Sequence, residues 1–98
     1  MKINVSSVHF TADQKLLKFI HQKVTKLTQL FDDIVSCEVT LRLDANNEAG
    51  NKITEIKMVL PGGELFAKKQ CKTFEEAIDQ SIDALKRQIE KHKEKLKH

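Results

Sequence analysis

Lysines recur on one face of a segment near the N-terminus, and lysine is a side chain that binds phosphate. At 100° per residue, Lys15, Lys18 and Lys26 project together, with Lys23 beside them and an apolar stripe opposite. No acidic residue interrupts positions 14–31. Because solvated helix faces usually mix both signs of charge, a face of a single sign indicates an anionic partner.

The C-terminal segment carries a second basic group. Residues 86–98 contain six basic residues and two acids, a local charge of +4, so residues 1–85 carry −1 of the net charge of +3. The basic residues are Lys86, Arg87, Lys91, Lys93, Lys95 and Lys97. Cations suit the C-terminal end of a helix, but that effect is confined to the last turn, whereas this run spans three turns. Two interpretations follow, a solvated helix tail and a nucleic-acid contact whose affinity depends on salt.

The other reactive side chains do not form a recognisable catalytic or metal-binding pattern. The four histidines are not spaced with acids or cysteines as metal ligands are. Cys37 and Cys71 stand alone, which is typical of reduced thiols. Glycines do not cluster before a helix as in a phosphate-binding loop. Asp32 and Asp33 suit either a carboxylate pair or, as we favour, a turn after the first helix. We expect no enzyme, cofactor or metal.

Length and composition predict one globular domain over residues 1–98. The chain is 40% hydrophobic and 32% charged, with three glycines and one proline. Area scaling gives about 65% of the surface buried on folding, enough for one modest core. No apolar run approaches the ~18 residues of a membrane span, and the N-terminus lacks the apolar stretch of a secretory signal. We therefore expect a cytoplasmic protein.

Apolar periodicity predicts six elements. They are a strand at 2–7, a helix at about 12–30, strands at 35–43, 52–60 and 64–71, and a helix at 74–96. Thr11 with Gln14, and Thr73 with Glu76, have the spacing of capping boxes. Lys69 lies two residues after the inward-facing Ala67 and would therefore point to the same face of the sheet. The inner face of the fourth strand should thus end near Ala67, or the strand should bulge.

The order β-α-β-β-β-α predicts an α+β fold. A helical crossover makes the first two strands parallel, and short loops make the others antiparallel. One open four-stranded mixed sheet with both helices on one face buries every apolar stripe. Residues 12–96 match the α-β-β-β-α order of a double-stranded-RNA-binding domain, but the last helix begins with acids where such domains carry lysines. We therefore expect phosphate-directed contact with folded RNA rather than sequence-independent reading of a duplex.

Several segments together resemble one family, the short ribosome hibernation-promoting factors and ribosome-associated inhibitors, once labelled sigma-factor modulation proteins. The resemblance covers nearly the whole chain. It rests on Met1–Val5, the helix end Leu27–Asp32, the turn and strand Pro61–Ala67, and the segments Ala77–Asp79 and Leu85–Lys95.

The resemblance implies binding to ribosomal RNA of the small subunit, in the channel that messenger and transfer RNA occupy, so that idle ribosomes are preserved in stationary phase. The implied contacts are Lys15, Lys18, Lys23 and Lys26 from the first helix and Arg87, Lys91, His92, Lys93 and Lys95 from the last, where Lys86 adds a further charge. The chain departs from the family in having Lys68, Lys69 and Lys72 around the fourth strand and Ala84 where lysine is frequent. Because the sequence ends at His98, we expect it to lack the C-terminal domain that pairs ribosomes in long members, so pairing would need another factor.

Two alternatives keep the same residues but change the partner. A regulatory module could bind an acidic protein such as a transcription factor through the basic faces. The basic last helix could also lie on a membrane surface, although its apolar stripe is needed for the core. Phe19 lies beside the lysines and suits either base stacking or the edge of the core. We expect a monomer with no small-molecule substrate, in which Ile53 and Val59 lie on the outer sheet face.

Overall fold

The structure, a computed structural model, describes residues 2–44 and 50–96, with side chains in the last helix described as far as Lys93. Six elements follow one another along the chain. They are β1 (Lys2–Ser7), α1 (Gln14–Thr28), β2 (Ser36–Leu43), β3 (Lys52–Leu60), β4 (Gly63–Cys71) and α2 (Phe74–Leu96). The predicted element order is confirmed. The loop predicted between the strands at 35–43 and 52–60 falls mainly on residues 45–49, outside the described residues.

The four strands form one mixed sheet in the order β1-β2-β3-β4. β1 pairs with β2 in parallel, from Lys2 opposite Ser36 to Ser7 opposite Leu41. β3 is antiparallel to both of its neighbours. This confirms the predicted directions, because only the β1–β2 connection contains a helix that returns the chain to the same end of the sheet.

The start of α1 differs from its prediction. The helix begins at Gln14 rather than near residue 12, and its N-cap is Asp13, whose Oδ1 accepts a hydrogen bond from the Leu16 amide at 2.8 Å. Thr11 was therefore the wrong cap. The residues before Asp13 follow a different path, because His9 has a φ of +66° and the Phe10 ring stacks on Phe74 at 5.2 Å.

The start of α2 agrees with its prediction. The Thr73 hydroxyl accepts a hydrogen bond from the Glu76 amide at 3.1 Å. Glu75 and Glu76 lie in the first turn, where the unpaired amides of a helix favour negative charge. The acidic start of α2 is thus explained by capping.

The core lies between the helices and one sheet face. Its fully buried side chains come from both helices and the two central strands, and include Ile20, Val39, Ile56, Ile78 and Leu85. On β2 the buried face is limited to Cys37, Val39 and Leu41. Val35 and Leu43 alternate with polar residues along the predicted strand at 35–43, which predicts that they face inward. They are instead 55% and 44% exposed, because they lie at or beyond the ends of the strand.

β4 continues without a bulge. Its register with β3 runs unbroken from Gly63 opposite Leu60 to Cys71 opposite Lys52. The predicted end of the inner face at Ala67 was therefore wrong, since Cys71 is buried on the same side and Lys69 between them is half-buried. A lysine thus lies on the helix-facing side of the sheet.

Both cysteines are free and buried. Burial raises the pKa of the Cys37 thiol to about 12, with a smaller contribution from the Glu38 carboxylate. Burial, followed by the Glu76 carboxylate, also raises the pKa of Cys71. Since the thiolate is the reactive form, both thiols are inert packing groups at neutral pH.

The β3–β4 turn provides a test of backbone conformation with an internal control. Gly62 has a φ of +82°, whereas the neighbouring Gly63 has no positive φ, and a Cβ at either position would meet nothing within 4 Å. We expect Gly62→Ala to lower the free energy of unfolding by about 1 kcal/mol, because an L-residue is strained there. Gly63→Ala should change it little. Denaturant unfolding measures both, and equal effects would contradict the assignment.

Candidate nucleic-acid interface

The two helices lie side by side on the sheet and run in the same direction. Lys23 in the second half of α1 pairs with Asp79 in the first half of α2. Farther along both helices, Phe31, just after α1, meets His92 near the end of α2. Contacts therefore advance along both helices together, and the C-terminal halves lie at one end of the molecule. This arrangement places Lys26, near the end of α1, beside Lys86 of α2, whereas Lys15 and Lys18 lie at the other end of α1.

A groove of about 320 Å³ separates the helices, and we call it the interhelix groove. Its lining residues are Lys23, Lys26, Leu27, Gln29, Leu30, Ile82, Asp83 and Lys86. Lys26 and Lys86 are both exposed, so cations from the two predicted basic groups lie along one concave surface. Such a surface can bind a phosphate backbone without reading bases.

Six of the predicted contact residues are exposed and have no ion-pair partner within the described part of the chain. They are Lys15, Lys18 and Lys26 on α1 and Lys86, Arg87 and Lys91 on α2. An exposed cation without a carboxylate partner can bind phosphate without first breaking an ion pair. These six residues are the best-placed cations for an anionic partner.

Lys23 is placed differently. Its Nζ lies 3.1 Å from Asp79 Oδ1 and 5.4 Å from the centre of the Phe19 ring. The Phe19 side chain is half-buried and packs against the core, which favours the core-edge interpretation over base stacking. Lys23 therefore joins the helices, although an exposed pair of this kind stabilises by less than about 1 kcal/mol.

His92 and Lys93 are also engaged within the protein. The His92 ring meets the buried Phe31 ring edge to face, with centres 5.6 Å apart. The Lys93 ammonium donates to the Leu30 carbonyl and lies 5.8 Å from the centre of the Phe31 ring. Lys93 thus places a cation at the turn that ends α1, where the helix dipole favours it. We define Leu30, Phe31, His92 and Lys93 as the Phe31 clamp.

The opposite face of the sheet has a different electrostatic character. Arg42 Nε and Lys68 Nζ lie 3.3 and 3.9 Å from the Glu55 carboxylate, and Lys57 pairs with Glu64 at 3.5 Å. Most of its basic groups are thus matched by acids, while those on the helices are largely unmatched. The asymmetry favours the helix side as the binding surface.

Three further observations concern the predicted Lys95 contact, metal binding and membrane binding. The Lys95 side chain lies outside the described residues. Within the described residues, no cluster of three or more His, Cys, Asp or Glu side chains could hold a metal ion. No helix in that part of the chain is long and apolar enough to cross a membrane.

Lys69 is not among the predicted contact residues, because the sequence marked it only as a departure from the family. Lys69, with Arg87 and Gln80, lines a second groove of about 240 Å³ between β4 and α2. We call it the strand groove, and its other lining residues are Asp83 and Ala84. The signal for this position in the sequence is that Lys69 lies two residues after the inward-facing Ala67, on the same face of the strand.

Comparison with known proteins assigns this chain to a family. The family model described as Sigma 54 modulation protein / S30EA ribosomal protein matches residues 3–97. The chain belongs to this family. The family resemblance noted from the sequence is thereby confirmed over almost the whole domain.

Two relatives in the family are named ribosome hibernation promoting factors. The one from Escherichia coli is 32% identical over 97 residues, covering 99% of this chain and 98% of the relative. The one from Pseudomonas putida is 30% identical over 95 residues, covering 97% of this chain and 89% of the relative.

Two solved structures share the fold of this chain. A ribosomal subunit interface protein from Coxiella burnetii matches with a TM-score of 0.84 and 19% identity, over 95% of this chain and 98% of the other. The N-terminal domain of Thermus thermophilus Protein Y matches with a TM-score of 0.80 and 22% identity, over 94% and 99%. These matches confirm the β-α-β-β-β-α architecture.

Proposed function

We propose that this chain occupies the messenger and transfer RNA channel of the small ribosomal subunit and silences translation there. It is a ribosome-associated hibernation factor, since it belongs to the S30EA family and aligns almost end to end with two ribosome hibernation promoting factors. The finer proposal concerns where and how it binds. Its action would belong to stationary phase and stress, in the cytoplasm, where idle ribosomes are kept intact.

One observation carries the proposal. Six exposed cations on the helix side lack carboxylate partners among the described residues, whereas the outer sheet face has most of its charges paired. Folded ribosomal RNA presents phosphates on a curved surface, and a concave groove between two helices can follow such a surface. Among the described residues, the outer face has no comparable excess of positive charge with which to bind the RNA.

The measurement that tests this proposal is co-sedimentation with purified ribosomal subunits over a salt series. With six phosphate contacts, log affinity should fall against log salt with a slope of about −4, taking the coefficient for single strands. We expect saturable, one-to-one binding to the small subunit and little to the large one. Absence of binding at low salt would overturn the proposal.

Competition tests the location. If the chain occupies the channel, initiator transfer RNA and messenger RNA should displace it from the small subunit, and it should block their binding in turn. Simultaneous binding of all three would contradict this location.

The alternative of an acidic protein partner makes a different prediction. It requires a partner that survives nuclease treatment of the extract. Loss of all association on nuclease treatment favours the ribosomal assignment, which the relatives' names also support.

A further inference from the structure

We infer that the strand groove is a second phosphate-binding site, in which Lys69 and Arg87 hold one RNA phosphate on the side of α2 away from α1. This inference rests on the proposed function and extends its contact surface around α2. The groove lies between β4 and α2, and its lining side chains come from both elements.

The position of Lys69 is the first observation. It lies on the helix-facing side of β4, between the buried Ala67 and Cys71, and it is itself half-buried. No carboxylate lies within ion-pair distance of its ammonium among the described residues. Since partial burial of a cation without a counter-ion is unfavourable, an anion supplied by a ligand would stabilise this arrangement.

Its neighbour Lys68 shows the contrast. Lys68 is exposed on the outer face, where its Nζ lies 3.9 Å from Glu55. The two lysines are consecutive on β4, so Lys68 lies on the outer face of the sheet and Lys69 on the helix-facing side. Lys68 therefore has a partner within the protein, and Lys69 has an open groove.

The other lining residues suit a single phosphate. Arg87 presents several N–H donors that can bind phosphate in a bidentate manner, and the Gln80 amide adds a neutral donor. The groove has a volume of about 240 Å³, which is large enough to admit a phosphate group.

The surroundings define the limits of the site. Gln88 donates through Nε2 to the Phe66 carbonyl at 2.9 Å, which fixes α2 against β4 one residue beyond Arg87. Asp83 lines both grooves and so lies on the ridge of α2 between them. Its carboxylate repels phosphate from the ridge, which separates the two grooves into distinct contacts. Ala84 keeps the strand groove open because its side chain is small.

The test compares neutralisation at adjacent positions. We expect Lys69→Gln to reduce the salt slope of small-subunit binding by up to about 0.7 and to weaken binding by up to about fivefold at 0.1 M salt, because loss of one whole phosphate contact sets that limit while Arg87 remains. The matched control Lys68→Gln removes the same charge from the outer face and should leave binding unchanged. Thermal unfolding of both variants separates a loss of affinity from a loss of fold.

A third variant tests whether the phosphate enters the groove. Ala84→Leu fills the space without altering charge, and it should weaken binding as much as Lys69→Gln does. Equal binding by the Lys69 and Lys68 variants would overturn the inference, as would unchanged binding by a folded Ala84→Leu protein. In both cases wild-type binding would persist, so the proposed function would stand. Failure of the wild-type protein to bind small subunits would overturn both.

Discussion

Neutralising three cations of α2 together should nearly abolish binding to the small ribosomal subunit. The variant Lys86→Gln, Arg87→Gln, Lys91→Gln removes half of the six predicted contact residues that are exposed and have no ion-pair partner among the described residues. Three phosphate contacts at about 0.7 each lower the slope of log affinity against log salt by about 2, which is a loss of about 100-fold at 0.1 M salt. The fold should survive, because all three side chains are exposed. Co-sedimentation over a salt series measures the slope, and circular dichroism measures the fold.

A control of equal charge is available on the opposite face. Lys2, Lys57 and Lys68 are on the outer side of the sheet, and changing them to Gln removes the same three charges. If only net charge mattered, both triple variants would lose affinity equally. We expect the outer-face variant to bind within a fewfold of wild type, and an equal loss would contradict a localised interface.

The choice of these three positions depends on the structure. Sequence reasoning alone would favour Lys91, Lys93 and Lys95 for such a variant. Lys93 donates to the Leu30 carbonyl, and the Lys95 side chain lies outside the described residues. Substituting Lys93 would disturb the end of α1, so a loss of binding could not be assigned to a lost phosphate contact.

Removing the ring of Phe31 should have the largest effect on stability. Phe31 is only 8% exposed, and its ring contacts His92 and Lys93 at the far end of α2. We expect Phe31→Ala to lower the free energy of unfolding by about 3 kcal/mol and Tm by more than about 10 °C. The loss combines a cavity in the core with release of the last described turns of α2. Thermal and denaturant unfolding measure it.

Phe31→Leu separates packing from the aromatic contacts. Leucine keeps most of the apolar volume but removes the ring face over which the Lys93 ammonium lies, a contact of about 0.5–1 kcal/mol. We expect a small loss of stability and a two- to fivefold loss of small-subunit affinity, because α2 is then held less firmly where its basic residues lie.

Phe10→Leu is the matched control for this effect. Phe10 is also aromatic and partly buried, but it stacks on Phe74 at the start of α2. Its substitution should lower stability without lowering affinity. If both leucine variants bind equally, the Phe31 clamp does not position the basic surface.

Local pattern was sufficient for most of the fold. Alternating apolar residues identified all four strands, and the Thr73 cap was correct because its hydrogen bond spans only three residues. One error was local, and the others occurred where distant elements act. Thr11 is not the cap because Asp13 lies directly before the first helical turn and accepts a hydrogen bond from the Leu16 amide. Val35 and Leu43 were placed inside because alternation does not show where the covering helices stop.

The sequence by itself determined the order of elements, the strand directions and the presence of two basic segments, since periodicity, connection length and charge are local properties of a chain. Only the tertiary structure decided which cations are free. Asp79 from α2 partners Lys23, and the end of α1 holds Lys93. Lys69, whose inward position looked like the end of a strand face, lines a groove with Arg87. Whether a lysine can bind a ligand depends on the carboxylates, carbonyls and rings that reach it through space, and these come from residues far away in the chain.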